Sequence, residues 1–195
     1  MKHISRIICL LALFGLYTSG YTDALNEGFK AYESDNFSKA YKLWKPLADT
    51  GVADAQYNIA LLLKNGKGVK QNHRQALYYF LDAARQGHAE AQYNAGIMFR
   101  KSLGISRSNK DAVIWWERAA AQGLTEAQHN LAVMYAYGMG VRVDNEKAVK
   151  LWRTAAKKGY KEAQRALYVG YTKGYFGLKK DPKMAEKYRP ATPKK

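Results

Sequence analysis

The chain has 195 residues, a single cysteine and a formal net charge of +16. One cysteine, Cys9, excludes a disulfide framework, and 47% hydrophobic residues are enough for a packed core. The excess of cations turns attention to anionic partners.

The first twenty residues run from a basic start (Lys2, Arg6) through the apolar block Ile7 to Tyr17 into the small residues Thr18-Ser19-Gly20. That is the order of a signal peptide, and the block is short for a membrane span. Residues 1–20 are therefore expected to be a signal peptide cleaved after Gly20, the alternatives being a retained membrane anchor or a buried first helix, and Cys9, inside the block, does not sit where a lipid would be attached. The expected address is outside the cytoplasm, in the bacterial periplasm or secreted. That compartment removes nucleic acid as a partner.

Residues 21–52 read as a first helix pair, Asp23 to Glu33 and Phe37 to Thr50, joined by Ser34-Asp35-Asn36 and lacking a glycine loop. From there a period of 36 residues governs the chain. Ala-Gln recurs at Ala55-Gln56, Ala91-Gln92, Ala127-Gln128 and Ala163-Gln164, in step with Ala40, Ala76, Ala112 and Ala148. The aromatics Trp44, Phe80, Trp116 and Trp152 and the glycines Gly51, Gly87, Gly123 and Gly159 keep the same beat.

Residues 53–160 make three full units, each of two helices. In the clearest, Thr125 to Tyr137 is the first helix, with Thr125 expected to cap it, and Gly138 to Asp144 is the connection. Val141 is expected to plug the gap between helices and Asp144 to cap the second helix, Asn145 to Lys158. The alanines permit close helix approach while Trp, Tyr and Leu fill the space between units. Residues 161–190 are a C-terminal capping pair: a helix from Lys161 to Lys173, a loop from Gly174 to Asp181 with one extra residue, and a short helix from Pro182. Residues 191–195 form a basic tail. The expected fold is all-α, a right-handed α-α solenoid of about five helix pairs.

The succession Ala-Gln-Tyr-Asn, Gly-x-Gly-Val, Lys/Arg-x-Ala with a downstream aromatic, then Ala-Ala-x-x-Gly, resembles the Sel-like repeat (SLR), a relative of the tetratricopeptide repeat. The likeness covers Asp54 to Tyr188, and Leu131-Ala132, Tyr135, Gly138, Gly140-Val141, Asp144, Ala148, Trp152, Ala155-Ala156 and Gly159 occupy the family positions. Two departures stand out. Ser102-Leu103-Gly104-Ile105 loses one loop glycine, and Tyr168 stands where the sibling units have Ala60, Gly96 and Ala132. The resemblance implies a scaffold that binds proteins, and it names no ligand.

No catalytic motif is present: there is no Ser-x-x-Lys, His-Glu-x-x-His or Gly-x-Ser-x-Gly. His73, His88 and His129 have no metal-ligand spacing, so neither metal nor cofactor is expected. Cysteine-rich SLR proteins linked with β-lactams carry paired cysteines in each repeat, which this chain lacks. An envelope hydrolase and an accessory subunit of a flagellar motor or secretion machine are the alternatives to a simple scaffold.

Two candidate surfaces emerge. The first is a groove lined by first helices: Tyr57, Asn58 and Lys64, then Tyr93, Asn94, Arg100 and Lys101, then His129, Asn130 and Arg165. Amides there could bond a peptide backbone, tyrosines offer flat contact area, and Lys or Arg could hold a carboxylate. The alternative for the same residues is internal bonding and core packing. The second is a basic C-terminal face. Residues 142–195 hold 16 Lys and Arg against 5 Asp and Glu, whereas 21–141 hold 14 against 11. Lys147, Lys150, Arg153, Lys157, Lys158, Lys161, Lys179, Lys180 and Lys183 belong to it, with Lys150, Arg153 and Lys157 on one helix side. Its expected partner is an acidic protein patch, an anionic lipid headgroup or an acidic envelope polymer, the alternative being a solvated face that only keeps the protein soluble.

Overall fold

The computed structural model describes residues 21–190, so the signal-peptide and basic-tail expectations lie outside the described residues. Those described form ten helical segments and no strand. The first, α1, is helical over 21–33. It is followed by α2 (Phe37–Asp49), α3 (Ala53–Asn65), α4 (His73–Arg85), α5 (Ala89–Lys101) and α6 (Asn109–Ala121). The last four are α7 (Thr125–Tyr137), α8 (Asn145–Lys157), α9 (Lys161–Lys173) and α10 (Pro182–Lys187). The fold is all-α and of the helix-pair repeat class, each helix packing on the next within two compact units divided after Gln86.

Second helices start on a side-chain cap. Asn36, Asn72, Ser108, Asp144 and Asp181 each accept the backbone N–H three residues on, which satisfies one orphan donor of the first turn. First helices mostly do without. Leu124, not Thr125, occupies the cap of α7 and offers no side-chain bond, because Thr125 already has helical geometry and its hydroxyl donates to Glu126 at 3.0 Å. The helix expected to run to Lys158 ends one residue earlier, with Lys158 as its cap.

First helices end in a left-handed residue, glycine at 66, 138 and 174. In the unit that lacks this glycine, Ser102 takes φ +59 and its N–H still reaches the Met98 carbonyl, so the bond survives at some conformational cost. Each connecting loop is then tied back to the helix it left: Asn72 N–H to Leu63, Ser108 to Phe99, Asp144 to Tyr135 and Asp181 to Tyr171. The first three ties span nine residues and the last spans ten. The extra residue of the last loop is confined between fixed ends, and Phe176 adopts φ +57 there.

In residues 21–86 the core is made by Trp44, Ile59, Leu62 and Phe80, with fully buried Ala40, Ala55, Ala76 and Ala83. In residues 87–190, Met98, Trp116, Met134, Trp152 and Leu167 do the same work around Ala91, Ala112, Ala127, Ala148 and Ala163. These alanines are wholly buried, and a larger side chain there would overpack the core.

The glutamine of each Ala-Gln ties its helix to its neighbours. Gln56, Gln128 and Gln164 donate to the carbonyls of Ala48, Ala120 and Ala156 in the preceding helix. Gln56 and Gln92 also accept, at 2.8 Å, from Gln86 and Gln122, thirty residues further on. The next place in this series holds Lys158. Its ammonium bonds the Gly123 carbonyl at 2.8 Å, and the Gln128 side-chain oxygen is left buried without a partner.

Candidate binding surfaces

The residues expected to line a groove fall into several environments. Tyr57 is half-buried with its ring 5.8 Å from Phe80, and the Lys64 ammonium lies 5.7 Å over the same ring. Asn58 and Asn94 are only 7% and 8% exposed, and the Asn94 amide donates to the Glu90 carbonyl in its own helix. Arg100 is half-buried, while Lys101 and Arg165 are exposed.

Between residues 87 and 190 the half-buried members of this set, Tyr93, His129 and Asn130, meet groups that the sequence did not single out. Tyr160, which caps α9, has its ring 5.5 Å from His129. Burial pushes the Tyr160 hydroxyl up to about 12, aided by the charges of Glu162 and Glu126 and by Tyr93. Burial also raises Tyr93, with Glu126 and Glu162 acting in the same direction and a hydrogen bond with Asn130 opposing them. His129 is pushed below its usual value by burial, against the pull of Glu162. First-helix faces of α5, α7 and α9 thus gather two tyrosines, an imidazole, an amide and two carboxylates. Glu126 and Glu162 stand in the first turns of α7 and α9, where an acid also suits the helix dipole. Neither makes an ion pair among the described residues.

The basic face is organised around α8. A register of 36 residues aligns α8 with α6, and Asp111, Ile114, Glu117 and Ala121 of α6 with its cap Gln122 become Lys147, Lys150, Arg153 and Lys157 with the cap Lys158. Five cations replace two acids and three uncharged residues, while Lys110 and Arg118 give way to Glu146 and Thr154. Lys147 is engaged with the Tyr135 hydroxyl and lies 3.5 Å from Glu117, and Lys158 holds Gly123. Arg153 donates to the Tyr171 hydroxyl at 2.6 Å, in the place where Glu117 accepts from Tyr135. Lys150, Lys157, Lys161, Lys179, Lys180 and Lys183 are exposed and form no ion pair among the described residues.

An open depression of about 740 Å³ runs beside this face, lined on α8 by Asn145, Glu146, Val149, Lys150, Arg153, Thr154 and Lys157. Phe176, Gly177 and Leu178 of the last loop form its other wall. The longer loop explains the gap. A Cβ on Gly140 would lie 2.5 Å from the backbone of Asn109, so that loop rests directly on the start of α6. A Cβ on Gly177 meets only the Asn145 side chain, at 3.7 Å. Phe176 meanwhile packs its ring 4.8 Å from Trp152 and 5.8 Å from Tyr137. The expectation of a basic side at Lys150, Arg153 and Lys157 followed from helix spacing; the apolar wall facing it did not.

Among the described residues no group of His, Cys, Asp and Glu could hold a metal ion, and no helix is long and apolar enough to cross a membrane. The family model described as the Sel1 repeat matches residues 53–88, 89–124, 125–160 and 166–188. A Sel1 repeat protein from Oxalobacter formigenes superposes with a TM-score of 0.80 at 29% identity, over 86% of this chain and 68% of that one. A protective antigen present in uropathogenic Escherichia coli strains, which displays an SLR fold, gives 0.73 at 34% identity, over 76% of this chain and 32% of that one. Chitin synthase regulatory factor 2 of Schizosaccharomyces pombe is 36% identical over 74 residues, 37% of this chain. The match spans only 14% of that protein's length.

Proposed function

Because the chain belongs to the Sel1 repeat family, we propose that it is a non-catalytic scaffold that captures a protein partner along the first-helix face of residues 87–190. The observation that carries this is the grouping of Tyr93, His129, Asn130 and Tyr160 with two carboxylates that have no cation of their own. The chain has twice as many Lys and Arg as Asp and Glu. Two acids that meet no cation beside half-buried tyrosines suit a lysine or arginine of a bound segment, which would gain both the carboxylates and the ring faces. Tyrosines in such a place supply contact area at little entropic cost.

Export from the cytoplasm is part of the proposal. It is supported by the signal-peptide order of residues 1–20. In residues 21–86, Tyr57 and Lys64 present the corresponding first-helix face of that unit.

The test is capture by immobilised protein from an extract of the source cells, followed by mass spectrometry. Tyr93→Ala with Glu126→Gln is expected to lose partners that the unmodified chain retains. An unchanged set of captured proteins would overturn the proposal.

A further inference from the structure

The depression between α8 and Phe176 to Leu178 is separate from the first-helix face, and its chemistry is specific. Lys150, Arg153 and Lys157 follow one another over about 10 Å of helix. Val149, Phe176 and Leu178 supply an apolar floor and wall between them and the loop. Glu146 sits at the end nearest the start of α8.

Stacking does not account for the cations. Tyr135 and Tyr171 occupy equivalent places, and their hydroxyls are satisfied by Glu117 in one unit and by Arg153 in the next. Either sign of charge serves the fold. Lys150 stands where α6 has Ile114, and Lys157 where it has Ala121, so neither replaces a residue whose bonding the repeat requires. The loop that forms the far wall is also peculiar to this unit, because its additional residue holds it off the helix.

We infer that this depression receives an acidic segment of a partner protein, one that places a large apolar side chain between Val149, Phe176 and Leu178 while its carboxylates meet Lys150, Arg153 and Lys157. A recess with an apolar wall argues for such a segment over a membrane surface. A flat anionic bilayer would meet protruding lysines and leave the recess unused. Arg153, steadied by Tyr171, presents its remaining N–H groups for a paired contact with one carboxylate. Glu146 sets direction: the end of the segment that lies against it is uncharged or basic.

The experiment uses the full chain and a fluorescein-labelled synthetic peptide of alternating leucine and aspartate, followed by anisotropy at low salt. Lys150→Glu with Lys157→Glu is expected to weaken binding by about tenfold or more. Both side chains are exposed, and circular dichroism verifies that the helices persist. Lys39→Glu with Lys42→Glu, the same charge change on α2, is expected to leave binding unaltered, and polyaspartate is expected to compete poorly for want of an apolar group. Equal losses in the two charge-reversed variants would reduce the effect to net charge and overturn the inference. Competition by polyaspartate as strong as by the leucine peptide would do the same, as would capture by phosphatidylglycerol vesicles with none by the peptide. Failure here leaves the first-helix face untouched, since Tyr93 and Glu126 take no part in it.

Discussion

The indole N–H of Trp116 donates to the Tyr93 carbonyl at 3.1 Å, an approach made possible by Gly96, where an added Cβ would lie 2.4 Å from the indole nitrogen. Trp44 has the same relation to Gly28 and bonds the Leu25 carbonyl. Where the small residue is Ala60, the aromatic is Phe80, which has no N–H to satisfy. Ala132 faces the exception, Trp152, whose indole nitrogen is buried without a partner.

Trp116→Phe and Trp152→Phe should therefore differ. Both side chains are 1% exposed and lose the same volume, but only the first loses a hydrogen bond. We expect Trp116→Phe to cost about 1–2 kcal/mol more than Trp152→Phe in urea unfolding. Equal costs would show that the indole bond contributes nothing.

Gly96→Ala tests the same contact from the other side. Alanine is the better helix former by about 1 kcal/mol, yet the new methyl would collide with a fixed ring. The expected result is a net loss of about 1–3 kcal/mol and a lower melting temperature. A stabilised variant would mean that the tryptophan moves aside freely.

Lys158→Gln should stabilise the protein. Gln122 donates to both Gly87 and Gln92, so a glutamine at 158 can hold Gly123 and also satisfy the Gln128 oxygen. The gain expected is about 0.5–1.5 kcal/mol, read as a rise in melting temperature. Adding Gln128→Leu to this variant should cancel the gain.

His129 predicts a response to acid. Burial holds its folded-state value below the ordinary one, so below about pH 6.5 the unfolded chain binds a proton that the folded chain resists. Stability is complete above that value and falls as pH drops through it. Melting temperatures measured from pH 7 to pH 5 should decline, and His129→Phe should flatten part of the decline. A parallel decline in the variant would assign the effect to other groups.

Helix positions were readable from apolar spacing and glycine: Thr125–Tyr137 and Lys161–Lys173 are found as the spacing predicts. Local rules were weaker at caps. Thr125 looks like a cap by residue type, but the preceding Leu124 has the extended backbone that a cap position has. What joins distant residues was not readable. The glutamine series links positions thirty apart, and nothing in a single helix reveals that Gln86 reaches Gln56. Among surface residues, helix spacing found Lys150, Arg153 and Lys157. Tyr160 escaped because its counterparts, Val52, His88 and Leu124, are chemically unlike it. Glu126 and Glu162 escaped because an acid recurs in every first helix, at Asp54 and Glu90 too, and reads as an ordinary helix start. Phe176 could be counted as part of a longer loop, but the stand-off from α8 depends on where both ends of that loop are tied.

Those ties have a consequence for how such a protein can change. Each loop is closed onto the helix it leaves, so length added between the two anchors is absorbed as a bulge and never passed on as a shift in the following helix. The last loop has taken one residue this way, and α10 still begins on its aspartate cap. Insertions here alter the outer wall while the register of stacking holds, which makes the loops the part of the chain where new recognition can arise at least risk to folding.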